Sequence, residues 1–477
     1  MKAKIKVVVV ATAILTLGST AHAASIDQVI VRQQWPWTTD VKVEYRLAGV
    51  DASHPVDLTV TAFNGDTPLS IANPQEAIKG DLYGITEEFG EFYIDPIAAF
   101  GSEHIAMSKF KVKLAISDSA ANINEALYKI FCLTNNTVEN VTRADLLNGK
   151  YGSYETDFSK IGTGFSTPLT DVLIWTGVTN DVKYKTTHLV MRKIPAGGVT
   201  WRCGLDTALS GRMSPNTTRK YVQLSQDYYI GVFELTQNQY YRINNSNPSY
   251  FKNLTDSDIR PAEKLADYLV RGNRNSGSTG GQITGELIYW PTNSYLHDVA
   301  GDTLCGRLRT RFGWEFDVPT EAQWEFACRA SCETPFNSGK EWLEAACEEV
   351  AWTHLDAIDE TKPVGLKKPN AYGLYDMHGN VQESVVSDGD LFANGTSGDG
   401  ESESSPVVDP VGSITHAAVV ARGGSFGRNV PGSSTTELYW ADSSLGYRVT
   451  GWYSWAEQRS DKGVRLVCPA QPQWSPH

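Results

Sequence analysis

Past its first two dozen residues the chain has no apolar run long enough to cross a bilayer, so a membrane-spanning protein is not expected. It is also short of positive charge: 42 Lys and Arg face 55 Asp and Glu, for a formal net charge of −13. An acidic surface repels polyanions, which removes nucleic acid and anionic membranes from the expected partners. Cysteine is scarce, at seven residues, with no Cys-x-x-Cys and no second pair at finger spacing. A structural zinc site is therefore not expected. The odd count leaves at least one thiol free or paired between chains. Cys328 and Cys332 lie four apart in FACRASC, too far apart on one helix for a relaxed disulfide, and Cys332 with Cys347 is the better pair. No internal repeat is present.

What is there begins with a leader. Lys2, Lys4 and Lys6 precede an apolar run from Val7 to Leu17, and Ala21-His22-Ala23 follows with small residues where signal peptidase needs them. This three-part pattern predicts a signal peptide over 1–23, cleavage near Ala23 and a secreted or periplasmic protein. Loss of its three lysines would take the formal charge from −13 to −16. No cysteine follows the apolar run, so a lipid anchor is not indicated. The rest of the chain is about three times the usual ~150-residue domain, enough for two or three domains.

Residues 24–120 read as β. VKVEYRL places Val41, Val43, Tyr45 and Leu47 on one face. VDLTVTAF alternates likewise, with an NGD turn behind it, and FKVKLAI repeats the pattern through Phe110, Val112, Leu114 and Ile116. Half-buried strands with Gly, Asp, Asn and Pro between them predict a β-sandwich of immunoglobulin type. Residues 121–183 form a connecting region in which NINEALYKIF suits a short helix or a strand. From residue 184 the texture changes. THLVMRKIPAG reads as a strand ending in a turn, and DYYIGVFELTQNQYYRI as a strand running into a helix capped by Thr236. VPTEAQWEFACRA is the clearest helix, with Thr320 as its N-cap and Trp324, Phe326 and Ala327 as its apolar stripe. SDGDLFANGTSGDGESESSP is acidic and rich in Gly and Ser, which suits a surface insertion.

NAYGLYDMHGNVQES, residues 370–384, gathers Asp376, His378, Asn380 and Glu383 within eight residues. Three readings are open: an ion clasp built from oxygen ligands, a hydrogen-bonded turn, or an acid–base pair of His378 and Glu383. GGSFG around Ser425 formally matches the nucleophile elbow of serine hydrolases, but the only histidine after it is His477, so hydrolase chemistry is not expected.

HLVMRKIPAG, YYIGVFELTQNQYY, RPAEKL, FDVPTEAQWEFACRA, KPVGLKKPNAYGLYDMHGNV, ARGGSF and KGVRLV occur in an order that resembles the formylglycine-generating enzyme, or sulfatase-modifying factor, family. The resemblance covers residues 184–470. It implies an α+β fold, a variant of the C-type lectin fold with much irregular backbone. It also implies a structural calcium on the 370–384 loop, with Asp376 and Glu383 offering carboxylates and Gly379 and Val381 backbone carbonyls. The family often carries aromatic residues where Gln382 and Ser384 stand.

Formylglycine-generating enzymes oxidise a cysteine of a client sulfatase with oxygen and copper. They hold the metal through two cysteines placed three and eight residues after the Gly-Gly-Ser serine. In this chain those positions are Arg428 and Ser433, and no cysteine lies anywhere in 426–467. Copper(I) needs soft thiolates, so copper is not expected. Two functions of different classes follow. One is a non-catalytic protein that binds an extracellular glycan or protein. Its ligand face would include Ser425, Arg428, Tyr439, Trp440, Arg448, Trp452, Tyr453 and Trp455, with Phe426 and Tyr447 nearby. The other is an enzyme: a sulfatase-maturing oxidase with displaced ligands, or another family chemistry. An iron site of histidines is disfavoured, because the nine histidines are scattered with no i, i+4 pair.

Overall fold

The computed structural model describes residues 8–9, 24–34, 37–101, 109–156, 172–204, 220–272, 299–338, 344–356, 359–386, 400, 402–410, 420–427, 449–450 and 458–470. The fold is mixed α and β, rich in sheet, with few and short helices. Among the described residues no helix is long and apolar enough to cross a membrane. The chain divides into two compact units, residues 1–126 with 141–154, and residues 127–140 with 155–477.

In the first unit the alternating segments are strands. Val41–Ala48 buries Val41, Val43, Tyr45 and Leu47 and turns the residues between them outward. It pairs antiparallel with Ser25–Gln33 on one side and Phe89–Ile94 on the other. Val56–Asn64 pairs antiparallel with Phe110–Asp118, which buries Phe110, Val112 and Leu114 on one face. NGD turns the chain into Thr67–Leu69, with Gly65 at a φ of 63° that favours glycine. Side chains from both sheets join one apolar core that includes Val43, Leu58, Phe92 and Val112. Ahead of residue 24 the structure shows one short pairing, Val8 with Ile30 and Val9 with Val29.

NINEALYKIF settles as a strand, Ala126–Cys132, and it belongs mostly to the second unit. There it lies beside His188–Ile194, His188 opposite Cys132 and Arg192 opposite Tyr128. Tyr228–Gly231 and the terminal strand Val467–Pro469 complete this sheet on the far side. These strands are apolar on both faces because both are covered. Ile194, Tyr228, Ile230 and Val467 join one core, and Leu189, Met191, Tyr229 and Cys468 join another.

Thr236 and Thr320 cap the helices Gln237–Asn244 and Glu321–Arg329, each in a reciprocal capping box with the glutamine three residues on. The helix Glu321–Arg329 is buried throughout, and its Trp324, Phe326 and Ala327 lie in the first of these cores. All seven cysteines are buried and none forms a disulfide, which corrects the expected Cys332–Cys347 bridge. The Cys332 thiol is directed to Thr334 and the Phe336 carbonyl, whereas Cys347 packs among Ala346, Val350 and Phe336.

Thr320 Oγ1 accepts from Gln323 N at 3.1 Å, and Gln323 Oε1 accepts from Thr320 N at 3.0 Å. Thr320→Ala removes the first bond and is expected to cost about 1 kcal/mol of stability, with Thr320→Ser close to wild type. Urea unfolding of both variants measures the difference.

Candidate functional site

The 370–384 stretch is a hub of buried hydrogen bonds. Asn370 donates to the Ala327 and Cys328 carbonyls near the end of the buried helix and accepts from Tyr372 N and Leu374 N. Asp376 and Asn380 take left-handed backbone, φ 55° and 57°, as tight turns require. Gly379 has φ 75°, and a Cβ there would meet the Trp352 carbonyl. Asn380 Nδ2 and Val381 N donate to the two oxygens of the buried Glu234, at 2.7 and 3.0 Å.

Glu383 lies on the short strand Gln382–Val385, between Val420–Arg422 and Lys462–Gly463. Its Oε2 accepts from Trp324 Nε1 at 2.6 Å, and both oxygens accept from Arg465 Nε at 3.0 Å. Arg465 Nη2 adds a bond to Glu383 Oε1 at 2.7 Å and reaches the Tyr375 and Asp376 carbonyls, while Nη1 reaches those of Gly231 and Val232. A fully buried guanidinium thus joins the central sheet, the loop and the terminal segment.

Asp376 Oδ2 accepts from Gly365 N at 2.6 Å, and its buried Oδ1 has no hydrogen-bond partner. Burial pushes its carboxyl up to about 6. Burial also raises Glu234 well above the usual carboxylate range, reinforced by the charges of Asp376 and Glu383. As for a calcium ion, Asp376 has a free oxygen to give, but Glu383 would have to be shared with Arg465. His378 is turned elsewhere: its Nε2 accepts from Asn337 N at 3.3 Å and lies 3.7 Å from the Cys328 thiol. Among the described residues no three His, Cys, Asp or Glu side chains form a group that could hold a metal.

Val420–Arg422 leads into the Gly-Gly-Ser turn. Arg422 is fully buried, ion-paired to Glu321 and Glu325 and 5.2 Å from the centre of the Trp324 ring. Gly423 and Gly424 take φ 92° and 70°, and the turn is tied to the hub by Gly379 N to the Gly423 carbonyl and Phe426 N to the Asn380 carbonyl. Ser425 Oγ lies 3.4 Å from Asp461 Oδ2, and Arg459 holds that carboxylate at 2.7–2.8 Å. Beside Phe426 comes Phe251, at 5.6 Å between ring centres, and then Tyr250, which is 66% exposed. The buried Glu263 fixes this loop by accepting from Tyr250 N and Phe251 N.

Of the expected ligand-face residues, Ser425 is placed here, whereas Arg428, Tyr439, Trp440, Arg448, Trp452, Tyr453 and Trp455 lie outside the described residues. The structure brings Asp376 and Glu383 together around Arg465. Arg465 in KGVRLV and Glu234 in VFELTQNQ are site residues to which the sequence alone assigns no role. Their signal was charge placed inside otherwise apolar strand segments.

This arrangement defines an α+β domain whose irregular loops are fastened by buried ion pairs. Residues 180–467 match the family described as the sulfatase-modifying factor enzyme 1-like domain, more than half of the chain. The protein belongs to this formylglycine-generating enzyme family. It is 28% identical over 184 residues to a protein named chaperone protein LppX from Paenibacillus barcinonensis, covering 34% of this chain and 63% of that one. It is 34% identical over 121 residues to the formylglycine-generating enzyme of Thermomonospora curvata, covering 23% of this chain and 38% of that one. The chain thus spans under two thirds of the length of either curated relative. Among solved structures, Treponema denticola variable protein 1 is similar at 22% identity and a TM-score of 0.43, covering 59% of this chain and 96% of that one.

Arg465→Met leaves Glu383 buried without its counter-charge and is expected to cost about 3–5 kcal/mol. Adding Glu383→Leu should recover part of that loss, because the stranded charge goes with it. A double-mutant cycle by urea unfolding gives the coupling.

Proposed function

We propose that the protein is an exported, non-catalytic member of its family that binds an extracellular glycan or protein ligand through its C-terminal face. The observation that carries this reading is chemical. A guanidinium and a hydroxyl, Arg428 and Ser433, stand where copper would need two thiolates. The next cysteine along, Cys468, is buried on the terminal strand with its sulfur 3.9 Å from Met191 Sδ. The relative named as a chaperone protein fits a binding role. Export rests on the leader pattern of residues 1–23. In this reading residues 24–120 are an immunoglobulin-like sandwich, 121–183 connect, and 184–470 form the lectin-type domain. That domain presents Ser425, Arg428, Tyr439, Trp440, Arg448, Trp452, Tyr453 and Trp455 to the ligand. Rigid aromatics lose little conformational entropy when they anchor a partner, which suits such a face.

A calcium ion remains a proposed ligand of the 370–384 loop, supported by the unpartnered Oδ1 of Asp376. Gly379, Val381 and Glu383 would complete its protein ligands, Glu383 while still paired to Arg465.

Incubated with Cu(I), oxygen and a Cys-x-Pro-x-Arg peptide, the protein is expected to leave the cysteine unchanged by mass. Aldehyde formation well above the no-enzyme control would overturn the non-catalytic reading. Trp452→Ala and Trp455→Ala should each weaken ligand binding about thirtyfold with Tm nearly unchanged. Unfolding of both would assign these residues to the core instead.

Calcium at a hundredfold excess over Kd is expected to add about 2.7 kcal/mol to stability. Asp376→Asn should remove most of that increment, read as a shift in Tm. A Tm indifferent to chelator, with no tightly held ion, would leave the loop fastened by its own hydrogen bonds and ion pairs.

A further inference from the structure

Glu263 is buried in a different way from Glu383 and Glu325. Each of those two carboxylates faces a guanidinium. Among the described residues Glu263 has no such ion pair, and its carboxyl meets backbone donors instead. Oε2 accepts from Tyr250 N at 2.8 Å and Oε1 from Phe251 N at 2.9 Å. A charge buried without a counter-charge is the kind that takes up a proton most readily.

The two sides of this contact are not equally fixed. Ala262 N bonds the Leu235 carbonyl at 2.7 Å and Lys264 N the Arg459 carbonyl at 2.9 Å, while Ala262 and Leu265 lie in the apolar core. Glu263 is therefore held from both directions along the chain. The loop it holds is at the surface, with Asn245, Ser246, Tyr250, Lys252 and Asn253 exposed. Ser249 adds two bonds to the Glu263 backbone, accepting from its N at 3.2 Å and donating to its carbonyl at 3.5 Å. Those two do not involve the carboxyl. The backbone donors of Tyr250 and Phe251 both end on it.

As a carboxylate, Glu263 gives each amide a charged acceptor, and such bonds are roughly twice as strong as neutral ones. As a carboxylic acid it turns one oxygen into an O–H, so one amide faces a poorer acceptor and the other loses the help of the charge. Burial pushes this carboxyl up to about 6, against the two amide bonds and the charges of Lys264 and Lys252, which act to lower it. The other charges on the adjoining segments have partners of their own: Asp256 with Arg260, and Asp461 with Arg459. Glu234, one residue before Leu235, is turned to Asn380 and Val381. The folded value lies above the ordinary 4.5, so the folded chain binds this proton the more tightly. As pH falls through that window the group adds to global stability, even as the loop's own tether weakens.

We propose that Glu263 is a proton-operated latch: ionised, it fastens Tyr250 and Phe251 to the domain, and protonated, it releases them. Phe251 packs edge-on against Phe426 at 5.6 Å, next to Ser425 of the Gly-Gly-Ser turn, and Tyr250 beside it is exposed. Release in mild acid therefore loosens the row of aromatic rings along that turn. The latch goes beyond the proposed function and does not require that a ligand bind there.

Hydrogen exchange of the full chain at low salt, each rate divided by the intrinsic rate at the same pH, reads the latch amide by amide. Between about pH 7.5 and about pH 5, protection at Tyr250 and Phe251 should fall about tenfold. The midpoint should lie near the carboxyl's own value of about 6, while Ala262, bonded to the Leu235 carbonyl, keeps its protection. Lys252→Gln removes a charge that favours the carboxylate and should move the midpoint up. Glu263→Gln has no proton to gain and should leave both amides weakly protected at either pH. Level protection across this range in wild type overturns the latch. A fall shared by Ala262 is acid unfolding of the domain and overturns it too. A pH response that survives Glu263→Gln, or that Lys252→Gln leaves in place, assigns the proton to another group with the same result. Should Glu263→Gln fail to fold, the wild-type and Lys252→Gln profiles decide.

Discussion

The second unit depends on one buried ion pair. Arg465 sits with Glu383 out of reach of water, and every other hydrogen bond made by its guanidinium ends on a backbone carbonyl. Those carbonyls belong to the end of strand Tyr228–Gly231 and to the loop at Tyr375 and Asp376. Irregular backbone leaves polar groups that no ladder satisfies, and a planar five-donor cation collects several at once. The pair offers little net stability over an apolar replacement of the same shape. It fixes which loop lies against which strand. Glu234 does similar work from the other side, accepting from Asn380 and Val381 so that the turn carrying Glu383 has one conformation.

This frame carries the helix, the loop and the terminal segment on three side chains. Trp324, Glu383 and Arg465 hold the helix, the loop and the terminal segment together. The Gly-Gly-Ser turn is tethered to the hub by its backbone, through Gly423 and Phe426, so its side chains are left to vary. Ser425 and Asp461 stand at that boundary, with Gln382 behind them.

Much of the architecture was legible in the residues. Period-two alternation placed Val41, Val43, Tyr45 and Leu47 on one buried face, and a threonine followed by glutamine three residues on marked both capped helices. These are local signals, set by pleat geometry and by the first turn of a helix. The ordered motifs from HLVMRKIPAG to KGVRLV pointed to the family that the match over residues 180–467 establishes. NINEALYKIF could not be settled locally. An apolar run of that length suits either element, and what selects the strand is the edge of His188–Ile194, more than fifty positions away.

The sequence by itself determined the periodic elements and the family, because each is a matter of residue type at a given spacing. Tertiary structure alone decided the partners of the charged loop. Asp376 and Glu383 read as ligands for a cation, and the fold sets beside them a cation of its own, Arg465, 82 positions beyond Glu383. Ion pairing and desolvation act on distances in space, and spacing along the chain carries no record of them.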